Sequence, residues 1–258
     1  MGKFKEIKWD ELLIRCHMIG AIMTPPKDAA RKAAGEFGDT ALIGLQKIYI
    51  LERFGREQKL DTVAINKGLG VESIGIEMIN RLTGENYKKN EERVNNKWFS
   101  GIPDMWKGTN IYKSKVVRDH KGNYDLFSFL PNLDTKPTMS EVGKPYWYQG
   151  QSYMDICNCP VFYLDYTLQD MPPALLYGEM RKLGWKMGIA TDEDPEYKKA
   201  VAELEFNLTY GDIPDELKHI SIKIERNEDD IQAARYAVER ARKYLAAFDE
   251  RFMSRYKQ

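Results

Sequence analysis

The sequence predicts an α/β (α+β) fold: a small mixed central sheet flanked by helices, behind a helical N-terminal region and followed by a long C-terminal helix. Three observations predict it. Apolar residues recur at helical spacing through the first third of the chain, short β-branched and aromatic stretches separated by glycine turns follow, and the C-terminal stretch carries one apolar stripe among charges. No Gly-rich phosphate loop of a doubly wound fold is found.

Trp9 to Met23 places Leu12, Leu13, Cys16, Ile19 and Gly20 at helical spacing and stops at Thr24-Pro25-Pro26, where two prolines forbid continuation. A second helix is expected from Asp39 or Thr40 through about Phe54, with Leu42, Leu45, Ile48, Tyr49 and Leu51 as its stripe and Gly55 as its stop. A third runs from near Asp61 or Gly68 to Leu82 and ends at Thr83-Gly84. After Asn90 the texture changes, and Trp98 to Trp106, Asn110 to Lys121 and Tyr124 to Leu130 read as strands of a meander. Pro145 to Ile156 reads as a helix, Val161 to Leu168 as a buried strand, and Pro172 to Met187 as a helix opened by two prolines. Asp192 to Leu204 is a weaker helix. Leu217 to Glu225 alternates Ile220, Ile222 and Ile224 as a half-buried strand. Asn227 to about Arg255 is a long charged helix with Ile231, Ala234, Tyr236, Ala237, Ala241, Tyr244, Leu245 and Phe248 on one stripe. No repeat or long linker interrupts this order, so residues 1–258 read as one domain.

Composition bounds the function. No apolar run is long enough to cross a bilayer and the first residues are charged, so no membrane span or signal peptide is expected and the protein is placed in the cytoplasm. Three cysteines, Cys16, Cys157 and Cys159, fit a reducing compartment and fall short of an iron–sulfur set. Cys157 and Cys159 lack a second ligand pair with zinc spacing. Lys and Arg total 39 against 39 Asp and Glu, so no global positive field points to nucleic acid. Local clusters remain: Lys107, Lys113, Lys115, Arg118 and Lys121, and separately Lys27, Arg31 and Lys32. Taken alone, either reads first as solvated surface.

The chemistry concentrates in the middle of the chain. Gly101-Ile102-Pro103-Asp104 follows an aromatic strand, and Val116-Val117-Arg118-Asp119-His120-Lys121 comes next. Alternate side chains of a strand share a face, so Asp119 and Lys121 point together while Arg118 and His120 point away. If Asp104 ends the neighbouring strand, its carboxylate reaches the same spot. Two carboxylates about 4 Å apart repel by roughly 4 kcal/mol at an effective dielectric near 20. A hard cation such as Mg²⁺ or Mn²⁺ offsets that best. Taken singly, Asp104 could cap a turn and Asp119 with Lys121 could be a surface pair.

Together these residues resemble the core of the PD-(D/E)XK nucleases, whose site is an acid at the end of one strand and an acid-x-lysine on the next. Lys67-Gly68-Leu69-Gly70-Val71-Glu72 resembles the Gly-x-x-x-Glu of lambda-exonuclease-like and YqaJ-like enzymes, and Gln149-Gly150-Gln151-Ser152-Tyr153 the Gln-x-x-x-Tyr of RecB-like nucleases. Asn123 to Phe129, and more faintly Arg15-Cys16-His17 with Thr24, look phage-enzyme-like. Arg118 and His120 depart from the usual aliphatic residues and put in doubt how deeply that face of the strand is buried.

The resemblance implies a restriction-endonuclease-like core and a DNA exonuclease resecting duplex ends in phage-type recombination. It implies Glu72, Asp104, Asp119 and Lys121 as catalytic residues, with Glu72, Asp104, Asp119 and the His120 carbonyl as ligands for Mg²⁺ or Mn²⁺. Gln149, Tyr153 and, more weakly, Gln151 become DNA contacts. Glu77 rivals Glu72 as the helix-borne acid. Tyr146, Trp147 and Tyr148 could stack on unpaired bases or lie in the core. Partners implied are DNA, a single-strand annealing protein and further copies of the chain in a ring. An endonuclease, a structure-specific nuclease, or a DNA-binding or assembly protein without turnover are the alternatives.

Overall fold

The computed structural model describes residues 6–189 and 193–255. Its first elements differ from the single helix expected over Trp9 to Met23. A 3-10 turn at Trp9–Glu11 and strand β1 (Ile14–Arg15) precede α1 (Cys16–Ile22). Ile14 donates to Trp98 O and pairs with Phe99, so a long-range strand contact overrides local helical spacing. The α1 helix ends just before the two prolines. A short α2 (Ala29–Ala33) is capped by Asp28 and was not legible. Helix α3 (Asp39–Phe54) stops at left-handed Gly55, and α4 (Val63–Thr83), capped by Thr62, stops at left-handed Gly84.

The expected strand over Trp98 to Trp106 is two strands, β3 (Phe99–Gly101) and β4 (Met105–Gly108), parted at Ile102-Pro103-Asp104 and preceded by β2 (Val94–Asn95). Strand β5 (Ser114–Asn123) follows. Residues after Tyr124 do not continue the meander. Asp125 and Ser128 close a capping box that starts α5 (Leu126–Phe129), so side-chain capping wins over β propensity there. Then come α6 (Met139–Val142), α7 (Lys144–Ile156), β6 (Val161–Leu168), α8 (Pro173–Met187), α9 (Pro195–Leu208), β7 (His219–Glu225) and α10 (Glu228–Ser254). Asp192, the expected start of the penultimate helix, lies outside the described residues. Asp194 caps α9 instead.

The main sheet runs β4-β5-β6-β7, with β5 and β6 parallel and both edge pairings antiparallel. A smaller sheet, β1-β3-β2, stands beside it. One face of the main sheet presents Val117, Phe162, Leu164, Ile222 and Ile224 to the large core beneath α7 and α10. The other face carries Arg118, His120, Asp165 and Thr167 and is buried as well, each of them under 6% exposed.

That second face is covered by α4. His120 Nε2 bonds Thr167 Oγ1 at 2.7 Å, and burial pushes the imidazole pKa down to about 4. The helix comes this close because Gly75 has no side chain: a Cβ there would lie 2.1 Å from His120 Nε2. On the opposite face Gly20 lets α1 meet the first turn of α7, where a Cβ would lie 2.5 Å from Pro145 Cα.

Candidate active site

Asp104 stands where the chain enters β4, and its Oδ2 accepts the His120 amide at 2.7 Å. The segment around it is braced from two sides. Asn90 donates from its amide to Asp104 O at 2.7 Å and from Nδ2 to Pro103 O at 2.9 Å. Tyr153 OH donates to Ile102 O at 3.0 Å. Because an extended residue points its N–H and C=O to the same side, the His120 carbonyl leaves β5 on the edge that Asp104 occupies.

Asp119 and Lys121 share the α7 face of β5. Asp119 is 2% exposed, its Oδ1 accepting Gln149 Nε2 at 3.2 Å. Its Oδ2 lies in an ion pair with Lys121 Nζ. Among the described residues that oxygen receives no hydrogen bond of sound geometry. Burial and the neighbouring Asp119 push the Asp104 carboxyl upward, Glu72 adds to this, and Lys121 and the His120 amide oppose it. Burial alone would disfavour the Lys121 charge, yet Asp119 and Asp104 outweigh it and hold the ammonium pKa above its ordinary range.

Helix α4 brings Glu72, not Glu77, toward this group. Glu72 is half-buried, acts on the charge of Asp104 and pairs with Lys89 at 3.5 Å. Glu77 is exposed and lines a separate cavity with Arg81, Asp170, Asp215 and Lys218. Among the described residues no three carboxylate, imidazole or thiol side chains converge into a finished metal cage. The donors nevertheless fit a hard cation: carboxylates with free lone pairs, one of them orphaned and buried, crowded enough that Asp104 resists ionising. Cys16, Cys157 and Cys159 are buried free thiols whose pKa values burial pushes up.

The other expected contacts separate. Gln149 and Tyr153 sit one turn apart on α7, with Gln149 Nε2 also reaching Tyr153 OH at 3.2 Å. Both are buried and act on Asp119 and on the Ile102 loop. Gln151 is committed elsewhere, donating to Glu225 O at 3.0 Å and accepting from the Asn227 amide at 2.9 Å. Of the aromatic run, Trp147 and Tyr148 are buried, Trp147 Nε1 donating to Asp230 at 2.9 Å. Tyr146 is half-buried beside the cleft, its ring centroid 5.4 Å from Lys121 Nζ.

Arg118 must be removed from the expected basic cluster. It pairs with Asp165 at 3.3 Å between the rings of Tyr163 and Tyr87, its side chain turned into the protein by the strand alternation itself. Lys107 pairs with Glu85, and Arg31 with Glu36 and Asp39. Lys113 and Lys115 are exposed. Lys89 and Asn90 went unnoticed in the sequence because the loop that carries them has no periodicity to mark it.

No protein-family model matches the chain, and no curated protein matches it in sequence. Solved structures do. A phage-related exonuclease from Haemophilus somnus 129PT superposes with a TM-score of 0.69 at 22% identity, over 94% of this chain and 97% of that one. An alkaline exonuclease from Laribacter hongkongensis does so with a TM-score of 0.60 at 15% identity, over 97% of each chain. Its complex with dAMP gives 0.59 at 14% identity, over 95% of this chain and 93% of that one. The mixed α/β architecture is therefore shared along nearly the whole chain.

Proposed function

We propose that this chain is a Mg²⁺-dependent DNA exonuclease of the PD-(D/E)XK class. The observation that carries the reading is the meeting of Asp104, Asp119 and Lys121 on adjoining strands. The full-length likeness to a phage-related exonuclease and to an alkaline exonuclease solved with dAMP supports it. Asp104, Asp119, the His120 carbonyl and Glu72 would hold one or two Mg²⁺ or Mn²⁺ ions. Such an ion supplies a Lewis acid for the phosphoryl oxygens and a bound water of lowered pKa.

The protein's own groups do the rest. Lys121 donates to the attacking water and offsets the negative charge that builds around phosphorus in the transition state. Gln149 fixes the orientation of Asp119, and Tyr153 fixes the loop that carries Asp104. Tyr146 offers a ring edge to the substrate where it meets Lys121. Lys89 must yield Glu72 when a cation arrives. Resection of duplex ends leaves a single strand, which suits a recombination role beside an annealing protein. A ring of several copies belongs to the same reading.

End-labelled linear duplex, nicked circle and closed circle, each incubated with Mg²⁺, test it. Mononucleotides released from linear ends and an intact closed circle are expected, with Asp119→Asn inert. Cutting of the closed circle would instead make the chain an endonuclease. Binding of DNA without any cleavage would make it a binding protein.

A further inference from the structure

The aromatic run expected to meet unpaired bases is mostly buried, whereas α8 carries two strongly exposed rings on one face. Tyr177 and Trp185 are 63% and 70% exposed. They stand eight residues apart with Arg181 midway, a spacing that sets all three on one face of the helix. The Arg181 guanidinium lies 5.1 Å from the Trp185 ring centroid. Lys182 pairs with Glu179 at 2.6 Å, whereas Arg181 and Lys186 meet no carboxylate within ion-pair distance among the described residues. The inner face of α8 has already found its partners, since Leu175, Leu176 and Met180 pack with Met171, Leu204 and Leu208. Beside the exposed face, α8 and α9 enclose a cavity of about 400 Å³ that Tyr177 and Arg181 border, with Met180, Tyr197 and Val201 behind them and Glu205 on the α9 wall.

Cations near a helix C-terminus also answer the helix dipole. That explains Lys186 in the last turn but not Arg181, which stands a turn further in between two large rings left in water. Two rings flanking a cation along one line match a polyanion with stacked flat faces. They match an apolar peptide less well, because Arg181 would be buried without a counter-charge.

We propose that this face of α8 is a binding site for single-stranded DNA, with bases stacked on Tyr177 and Trp185 and a phosphate paired with Arg181. The proposal rests on the nuclease reading, in which duplex resection generates such a strand. The site binds without sequence preference, because every base offers a π face.

Anisotropy of a labelled oligothymidylate, titrated with the full chain carrying Asp119→Asn to prevent digestion, measures the site. Tyr177→Ala with Trp185→Ala should weaken binding on the order of tenfold or more. Trp185→Phe should retain most of the affinity. Arg181→Glu should weaken binding and flatten its salt dependence. Failure of the parent to bind, or equal binding by the double variant, overturns the proposal. So does a double variant that light scattering finds in a smaller assembly than its parent, since the face would then join copies of this chain. Digestion of linear duplex by the double variant with native Asp119 separates the two readings: no digestion by any form defeats the nuclease, whereas normal digestion with unaltered strand binding defeats only the α8 site.

Discussion

The two oxygens of Asp119 are held differently: Oδ1 takes the Gln149 amide, while Oδ2 rests against the Lys121 ammonium and, among the described residues, receives no hydrogen bond of sound geometry. A buried oxygen left this way costs stability, and Asp104 next to it adds repulsion. Asp104→Asn should therefore leave the fold intact or slightly stabilise it, Asp119→Asn should leave it intact at a small cost because Lys121 loses its ion-pair partner, and both should abolish Mg²⁺-dependent cleavage. A thermal melt beside a cleavage assay checks both halves, and undiminished cleavage by Asp104→Asn or Asp119→Asn would remove these residues from the site. Lys121→Ala should lower turnover by ~10²- to 10³-fold, the scale for losing one preorganised charge stabiliser, with DNA affinity changed much less. Affinity that collapses while turnover at saturation stays normal would make Lys121 a phosphate anchor. Strand alternation made the pairing of Asp119 with Lys121 legible in the sequence, and the same rule should have withdrawn Arg118 from the basic cluster. The choice between Glu72 and Glu77 was not legible, because it depends on which side of α4 meets the sheet.

That side is set by a contact between elements. Gly75→Ala would normally favour a helix by about 1 kcal/mol, but here the added methyl would lie 2.1 Å from a His120 ring that is buried and bonded to Thr167. The ring cannot swing away cheaply, so overpacking should win and cost about 1–3 kcal/mol. At this chain length that lowers the melting temperature by roughly 2–12 °C, and cleavage should fall as Glu72 shifts with the helix. An unchanged melt would mean that α4 is looser than its packing indicates.

A second junction ties α10 to the N-terminal elements. Asp249 accepts from Trp9 Nε1 at 3.1 Å, Tyr49 OH at 2.8 Å and Arg53 Nε at 3.0 Å. Burial opposes its charge, but these donors prevail and hold its pKa below the ordinary carboxylate value. Its stabilising effect is therefore complete above the unfolded pKa of about 4 and is lost as pH falls through the lower folded value. Asp249→Ala should cost about 3 kcal/mol at neutral pH and flatten the acid limb of a plot of melting temperature against pH. An acid limb identical to the parent's would place that pH dependence elsewhere. The left-handed stops of α3 and α4 were readable from Gly55 and Gly84, but their caps were not: Asp39 and Thr40 lie inside the first turn of α3 behind an uncapped Gly38, and Thr62 rather than Asp61 or Gly68 caps α4. The 3-10 turn, β1 and α5 were not, because distant pairing with Phe99 and a capping box decided them.

For the molecule as a whole, the balance of 39 basic and 39 acidic side chains matters most. Affinity for a duplex comes largely from neutralised phosphates, and much of the basic charge here is spent internally, Arg118 on Asp165 and Arg53 on Asp249. One copy therefore has a weak electrostatic grip, which predicts short visits to DNA and distributive digestion if the chain acts alone. A closed ring of copies removes that limit by confining the duplex topologically, so long digestion needs only weak contacts from each subunit. The expected outcome is an oligomer in light scattering at micromolar concentration, and digestion of bound linear duplex that continues after a trap of unlabelled DNA ends is added. Digestion that survives the trap should also tolerate moderate salt, because a threaded strand cannot leave between steps as a merely attracted one does. A monomer with DNA present, releasing its substrate to the trap after few cleavages, would exclude the ring and leave a nuclease that works by repeated encounter.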